Sequence, residues 1–377
     1  VTFQRFELEN WQSDHEQTVR FNLADSTVDP VTVADLLDER SDLDELLSIP
    51  LYYPEVNGER RLRELIAGMY SGIGADDVLV TVGASEANAT IVDALCVRGD
   101  RVVVMEPGYR QVWGLAANLG CDVAGFGLLA DRGWAPDLDA LRRAALPGTK
   151  LIYVCNPNNP TGYILSPDEM DQIIRIAEDC GAWIVADEVY RGSERLTTEE
   201  TPSFVGRSDR VIGVGSLSKS YGLSGLRIGW AVCAHPEIAD LWRRHEYLTI
   251  ATGRLDNKLA ERALSTPTRD RLLERNRACV RRGYDLFSDW AGRQDGRLTA
   301  IEPMASALAF VKYDSDLTSV EVGDRFRREA SVLVAPGVFF GHEGWFRINV
   351  GMDTDYLSRA LDALTPVVRD LPRSPRM

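Results

Sequence analysis

From residue 77 to residue 233, short apolar runs alternate with longer amphipathic stretches. DVLVTV leads into SEANATIVDALCV, DRVVVMEP into YRQVWGLAANLG, and KLIYVCNP into SPDEMDQIIRIAEDCG. WIVADEVY, RVIGVGSLSK and RIGWAVC complete the series. Runs this continuously apolar predict strands buried on both faces, and their alternation with helices predicts a mostly parallel sheet covered on either side. In such sheets ligands gather where the strands reach their carboxyl ends. The polar residues Ser85, Tyr109, Asn159, Asp187 and Lys219 fall at those ends.

Beyond residue 255 the pattern changes. An arginine-rich helical stretch over about 256–292 leads to SALAFVKY, SVLVAPGVFF and WFRINVG, and a final helix starts near 353. This predicts an α+β second unit, against which the first 45 residues, with Trp11 and the turn-like NLADSTVDPVT, would pack. The expected division is a large domain over 46–255 and a small domain formed by 1–45 and 256–377.

Composition fits this picture. The chain has 377 residues, 45% hydrophobic and 26% charged, enough for a large core and a smaller second one. No apolar run approaches the roughly 20 residues that span a bilayer, and the polar, acidic beginning VTFQRFELENWQSDHEQ is not a signal peptide. A formal charge of −15 argues against nucleic acid or an anionic membrane as the main partner, while leaving room for a local cationic pocket. The six cysteines lie far apart without a C-x-x-C pair, and the four histidines have no metal spacing. A reducing cytoplasm and no structural metal are the expectation.

Lysine is scarce: Lys150, Lys219, Lys258 and Lys312 stand among 42 basic residues. Lys219 lies in SLSKSYGLSGLRIG, among serines and glycines and ahead of Arg227. An amine becomes a useful nucleophile when burial or a nearby cation lowers its pKa; read alone, Lys219 is an ordinary loop lysine. Asp187 ends the apolar strand WIVAD, where an unpaired carboxylate is costly. It suits a buried cation such as a protonated pyridine nitrogen, and equally a structural carboxylate or a helix cap. NPNNPTG (156–162) forms turns readily, yet it follows a strand at its carboxyl end. VGASEAN (82–88) is a strand-to-helix turn whose small residues let backbone N–H groups approach a phosphate. Arg227 suits bidentate phosphate binding, and equally a surface ion pair.

The order Tyr53, GAS, Tyr109, NNPTG, DEVY, SLSK, Arg227, Arg347 resembles the fold-type I pyridoxal-phosphate enzymes, specifically the class I/II aminotransferases, from about residue 45 to 365. The resemblance implies an aspartate-aminotransferase-like α/β fold, a large domain with a mostly parallel mixed sheet plus a smaller α+β domain, and pyridoxal 5'-phosphate as cofactor. It implies that Lys219 holds the cofactor covalently and, once released, shuttles the Cα proton. Asp187 would pair with the pyridine nitrogen. Asn159 and Tyr190 would hydrogen-bond the phenolic oxygen, and Tyr109 would stack on the ring. Ser216, Arg227 and the turn Gly83, Ala84 and Ser85 would hold the phosphate. Arg347 would grip the substrate α-carboxylate beside Asn159, and Tyr53 would reach the phosphate of a partner subunit, making a homodimer the functional unit.

The chain also departs from the common pattern. LADSTVDP (23–30) stands where a glycine is usual, placing Asp25, Ser26 and Thr27 near the substrate, and PMASALAFVKY replaces a glycine-rich segment. In EYLTIATGRLDNK (246–258), Arg254 and Asp256 would read a substrate side chain, or form a solvated loop pair. These features are similar to a specialised-metabolite branch that includes capreomycidine-synthase-like and arginine-oxidising enzymes. That implies two readings of the chemistry, transamination of an amino acid or its elimination, cyclisation or oxidation without an acceptor oxo acid. A non-catalytic regulatory protein on the same fold is the reading from another class.

Overall fold

The computed structural model describes residues 3–373. Among them the main sheet has eight strands, Val78–Val82 (β1), Arg101–Glu106 (β2), Asp122–Leu129 (β3), Ala135–Pro136 (β4), Leu151–Cys155 (β5), Trp183–Asp187 (β6), Val211–Ser216 (β7) and Ile228–Val232 (β8). Their spatial order is β1-β8-β7-β6-β5-β2-β3-β4. Strands β7, β6, β5, β2 and β3 are mutually parallel, and β8 runs antiparallel between β1 and β7. Every residue of β5, β6, β7 and β8 is buried, as expected of apolar runs covered by helices on both faces. The helices carry their own punctuation. Over Pro167–Cys180, Ser166 and Glu169 form a capping box, proline follows the cap, and Gly181 ends the helix in the left-handed region.

A second, antiparallel sheet joins Leu298–Ala300, Leu308–Tyr313, Trp345–Asn349 and Ala335–Pro336 in that order. Its core packs Phe287, Trp290, Val311, Phe326, Phe346 and Leu361, apart from the core of the main sheet. The helix Thr268–Gly292 spans the two. Leu272 and Leu273 pack in the first core, Tyr284, Phe287 and Trp290 in the second. The single helical stretch expected over 256–292 is therefore two helices, Arg254–Leu264 and Thr268–Gly292. Pro267 explains the break, since it lacks an N–H and disfavours helical backbone at the residue before it. The N-terminal segment is shared: Leu8, Ala24 and Leu36 pack in the first core, while Phe21 and Leu23 pack in the second.

Two features of this frame position the site. The parallel register aligns strand ends, with Cys155 beside Asp187 and Asp187 beside Val214. The antiparallel β8 brings Gly229 against the turn that opens the helix Gly83–Leu95. A Cβ at position 229 would lie 2.4 Å from the Ala84 nitrogen, a backbone atom that cannot swing aside. Gly229→Ala should therefore lower stability by about 1–3 kcal/mol through overpacking. Denaturant unfolding checks this, and an unchanged midpoint would show that the turn can yield.

Candidate active site

The ends of β5, β6 and β7, the turn after β1 and the N-terminal segment enclose a cavity of about 250 Å³. Asp25, Ser26, Ala84, Ser85, Tyr109, Asn159, Asp187, Tyr190, Ser216, Lys219 and Arg227 line it, as residues scattered through the sequence converge. Gly83 begins the helix that contributes Ala84 and Ser85, and Arg347 joins through Asn159. Tyr53 and Arg254 are not among the lining residues. Tyr53 is 76% exposed. Arg254 donates to Glu59 Oε1 (2.8 Å) and the Tyr52 hydroxyl (3.0 Å), with its guanidinium 4.0 Å from the Tyr52 ring centroid. Asp256 begins the same helix and faces Gly253.

Lys219 follows β7, and its Nζ donates to Ser26 Oγ at 2.7 Å. Burial holds this amine below the ordinary lysine range; Asp25 pulls it up, whereas Arg347 and Arg227 push it down. Asp187, the last residue of β6, accepts from the Tyr153 hydroxyl (2.9 Å) and Asn88 Nδ2 (3.3 Å) on one oxygen, and from Val189 N (3.3 Å) on the other. Burial pushes its carboxyl up despite these donors. A buried carboxylate at the cavity wall favours a cationic partner there. Asn88 Oδ1, also buried, has no partner among the described residues.

Arg347 sits on the strand Trp345–Asn349 of the second sheet and is 1% exposed. It donates from Nη1 to Asn159 Oδ1 (3.0 Å) and from Nη2 to the Ala24 carbonyl, and stands 4.9 Å from the Phe340 ring centroid. Its Nε has no partner among the described residues. Burial pushes this guanidinium down, against the pull of Tyr190 and Asp25. A buried guanidinium bonded only to neutral oxygens is a standing site for a carboxylate.

The remaining corner suits a phosphate. Gly83 has φ +72°, and a Cβ there would lie 2.5 Å from Arg227 Nη2. The turn thus brings the first N–H groups of the helix Gly83–Leu95 beside a guanidinium, an arrangement that binds phosphate. Arg227 itself has φ +52° and is held through Nη1 by the Ser224 carbonyl (3.0 Å). A buried cluster braces this turn from behind. Glu86 accepts from Val82 N (2.5 Å) and the Thr249 hydroxyl (2.7 Å) and lies 3.0 Å from His245 Nδ1, while His245 Nε2 lies 3.2 Å from the Val56 carbonyl. Burial pushes the Glu86 carboxyl up, but His245, Val82 and Thr249 hold it below the usual range.

Sequence reasoning passed over Glu9, Gln12 and Asn88, which also line the cavity. Glu9 and Gln12 lie on the helix Glu7–His15. Its signal was the spacing of Leu8, Trp11 and His15 on one face; Leu8 is buried, and Trp11 packs edge-on against His15 and donates to the Val334 carbonyl at 2.9 Å. Glu9 reaches the site through the Tyr109 hydroxyl, which donates to its Oε1 at 2.8 Å, with Phe6 edge-on to the Tyr109 ring.

Residues 50–364 match the model of the aminotransferase class I and II family, and the chain belongs to that family. It is similar to the capreomycidine synthase of Streptomyces vinaceus, at 29% identity over 82% of this chain and 78% of that one. The histidinol-phosphate aminotransferase of Symbiobacterium thermophilum is 31% identical over 79% and 78%, and the arginine–pyruvate transaminase of Pseudomonas aeruginosa 28% over 82% and 80%. Among solved structures, a PLP-dependent aminotransferase from Streptococcus suis superposes with a TM-score of 0.91 at 28% identity, covering 100% of both chains. The PLP-dependent cyclase OrfR superposes at 0.86 with 27% identity and 97% coverage of each. The aspartate aminotransferase of Thermus thermophilus, 24% identical with a TM-score of 0.85 over 95% and 94% of the chains, confirms the aspartate-aminotransferase-like fold. Family and fold are those of pyridoxal-phosphate-dependent aminotransferases and imply that cofactor. The residues present fit it: a phosphate corner, a buried carboxylate for a ring nitrogen, and a lysine amine share one cavity.

Burial of Lys219 has a measurable consequence. In cofactor-free protein, reductive methylation of Lys219 followed by peptide mass should show a midpoint below the ordinary 10.5. Asp25→Asn should move it lower still, because the Asp25 charge favours the protonated amine. A midpoint at or above the ordinary value would contradict the burial argument.

Proposed function

We propose that the chain binds pyridoxal phosphate in this cavity and acts at the α-carbon of an amino acid, transferring the amino group to a 2-oxo acid. The observation that carries the proposal is the convergence of Lys219, Asp187, Arg227 and the Arg347–Asn159 pair on one cavity. The cofactor supplies a carbonyl for the substrate amine and a ring that withdraws electron density from the α-carbon. Lys219 holds it and, with a depressed pKa, carries the proton to and from the α-carbon. Asp187 keeps the ring nitrogen protonated, its position fixed by Tyr153 and Asn88. Asn159 turns Oδ1 to Arg347, which leaves Nδ2 to donate to the ring oxygen beside Tyr190. Tyr109 would lie against the ring, and Ser216, Arg227, Ala84 and Ser85 would hold the phosphate. Arg347 binds the substrate carboxylate and so sets which bond at the α-carbon faces Lys219, while Asp25 and Ser26 stand beside that amine.

A second reading of the chemistry has its own support, since a capreomycidine synthase and a PLP-dependent cyclase are among the similar proteins. On that reading the substrate is eliminated or cyclised without an acceptor. A large domain over about 46–255 and a small domain formed by 1–45 and 256–377 suit either reading, with the cavity at the strand ends of the large one and Arg347 reaching it from the second sheet through Asn159. Arg254, beside Tyr52, serves substrate only if a partner's cavity lies against it.

That geometry also supports a homodimer. Leu47, Leu51, Tyr52 and Tyr53 are exposed, as are Tyr247, Leu248, Ile250 and Leu255. The Arg254–Tyr52 and His245–Val56 contacts place the two stretches side by side, a single apolar face that association would cover. Six free cysteines suit a reducing compartment such as the cytoplasm.

Borohydride treatment of protein incubated with pyridoxal phosphate should fix the cofactor mass on the Lys219 peptide, and Lys219→Ala should abolish this. Amino-acid turnover that requires a 2-oxo acid supports transfer; product formed without one favours the second reading, and no adduct at all rejects both. Mixing Lys219→Ala with Tyr53→Ala subunits should restore about a quarter of wild-type activity, because one site of each mixed dimer is whole. No recovery would mean that Tyr53 serves its own subunit.

A further inference from the structure

We infer that the cavity is built for an amino acid whose side chain carries a positive charge, with Glu9 and Asp25 as the residues that select it. This rests on the reading of the cavity as a pyridoxal-phosphate site.

The acidic and basic side chains lining the cavity are Glu9, Asp25, Asp187, Lys219 and Arg227. The proposed cofactor accounts for three of them, Arg227 with the phosphate, Asp187 with the ring nitrogen and Lys219 with the carbonyl. Arg347 accounts for the substrate carboxylate. Glu9 and Asp25 are left with no assigned counter-charge.

Both are only half-satisfied by the protein. Asp25 Oδ1 accepts from Ser26 N, from Thr27 N (2.8 Å) and from the Thr27 hydroxyl (2.9 Å), which locks the side chain in place. Glu9 Oε1 accepts from Tyr109 (2.8 Å), so its direction is fixed too. Among the described residues no donor reaches Asp25 Oδ2 or Glu9 Oε2, and neither side chain takes part in an ion pair. Each therefore holds one carboxylate oxygen in reserve on the wall of the cavity. Glu9 lies at the exposed rim and Asp25 deeper, beside Lys219. Both negative charges act on Lys219 and on Arg347, and Glu9 and Asp25 line the same cavity as Lys219 and Asn159. Gln12, one turn after Glu9, adds a neutral polar group to the same wall.

The pair is not an isolated acidic cluster. It shares its cavity with the buried, unpartnered Asn88 Oδ1, and Arg347 Nε beyond Asn159 is also unpartnered; both residues are 1% exposed. A substrate with a neutral side chain would leave both carboxylates unpaired in the filled cavity, and an acidic one would add repulsion; the cost is larger at the deeper Asp25 than at Glu9 on the rim. A guanidinium or an ammonium reverses the sign of that cost, and a planar guanidinium can meet both free oxygens at once.

The test compares charged amino acids with neutral isosteres on cofactor-loaded protein: arginine with citrulline, and lysine with norleucine. At least one cationic member should exceed its neutral partner by about tenfold or more in kcat/KM. Glu9→Gln, which keeps an acceptor for Tyr109, should cut that ratio severalfold, as should Asp25→Asn. Calorimetric binding of arginine and citrulline to the cofactor-free protein should show the same order, independently of turnover. Equal use of charged and neutral members by protein that carries cofactor would overturn this inference alone, as would a ratio that neither substitution moves. Protein that takes up no cofactor would overturn the reading beneath it as well.

Discussion

Three ionisable groups withdrawn from open solvent, which form no ion pair with one another, set the terms for this molecule. Asp187 and Arg347 are buried and Lys219 is half-buried at the cavity wall, and none forms an ion pair with another among the described residues. An isolated buried charge costs several kcal/mol even after relaxation, so the fold must hold each one rigidly enough that it neither escapes to water nor collapses onto its neighbour. The sheets do this. Asp187 is the end of a strand paired on both sides, and Arg347 is the middle of a strand paired on both sides. Lys219 is confined by the loop that follows β7 and by Ser26 from the far end of the chain. The result is a cavity already charged for an anion, a cation and an electrophile.

The loop NPNNPTG shows how the two sheets are fastened around that cavity. Asn158 Oδ1 accepts from Thr161 N (3.2 Å) and its hydroxyl (2.7 Å), and Asn156 Oδ1 accepts from Leu165 N (2.9 Å), so the asparagines fold the loop upon itself. The Gly162 carbonyl then receives the N–H groups of Met304 and Ala305, each at 3.0 Å, from the chain leading into the second sheet. Position 162 has φ +69°, and a Cβ there would stand 2.5 Å from the Ala305 carbonyl oxygen. The segment is thus a joint as well as a turn, and its one cavity-facing member, Asn159, is the residue that meets Arg347 from the other sheet.

What the sequence disclosed divides along a physical line. The strands of the main sheet are read from local composition, because a strand buried on both faces must be apolar throughout. Asp187 was visible because it ends such a run with a carboxylate that burial would otherwise penalise, Lys219 because it is a scarce lysine among serines and glycines ahead of Arg227, and Asn159 because its turn follows a strand's carboxyl end. Arg347, inside WFRINVG, was reached only through the family resemblance. Glu9 was not visible, because nothing local distinguishes it from the exposed acids Glu7 and Asp14; only packing across the chain carries it to Tyr109. Tyr53 and Arg254 are the opposite case. Tyr53 was implied by the resemblance and Arg254 by its loop, yet within one chain Tyr53 is exposed, Arg254 is tied to Glu59 and Tyr52, and neither lines the cavity. The break at Pro267 was locally legible, and the arginine-rich periodicity on either side of it masked it.

The N-terminal segment links these observations. Its helix is tied to the second sheet by Trp11, its strand Phe21–Asn22 pairs with Val332–Leu333, and its Ala24 carbonyl receives Arg347. The same segment supplies Ser26 to Lys219 and Glu9 to Tyr109. A stretch of some twenty residues therefore touches the groups assigned to the substrate carboxylate, the reacting amine and the ring face. Rigid sheets fix where charges stand, but a wall that closes over them can come only from chain that is free of those sheets at one edge. Specificity at this site is thus expected to reside in the segment with the least regular structure. The frame itself does not dictate the reaction, since a PLP-dependent aminotransferase and a PLP-dependent cyclase both superpose on it.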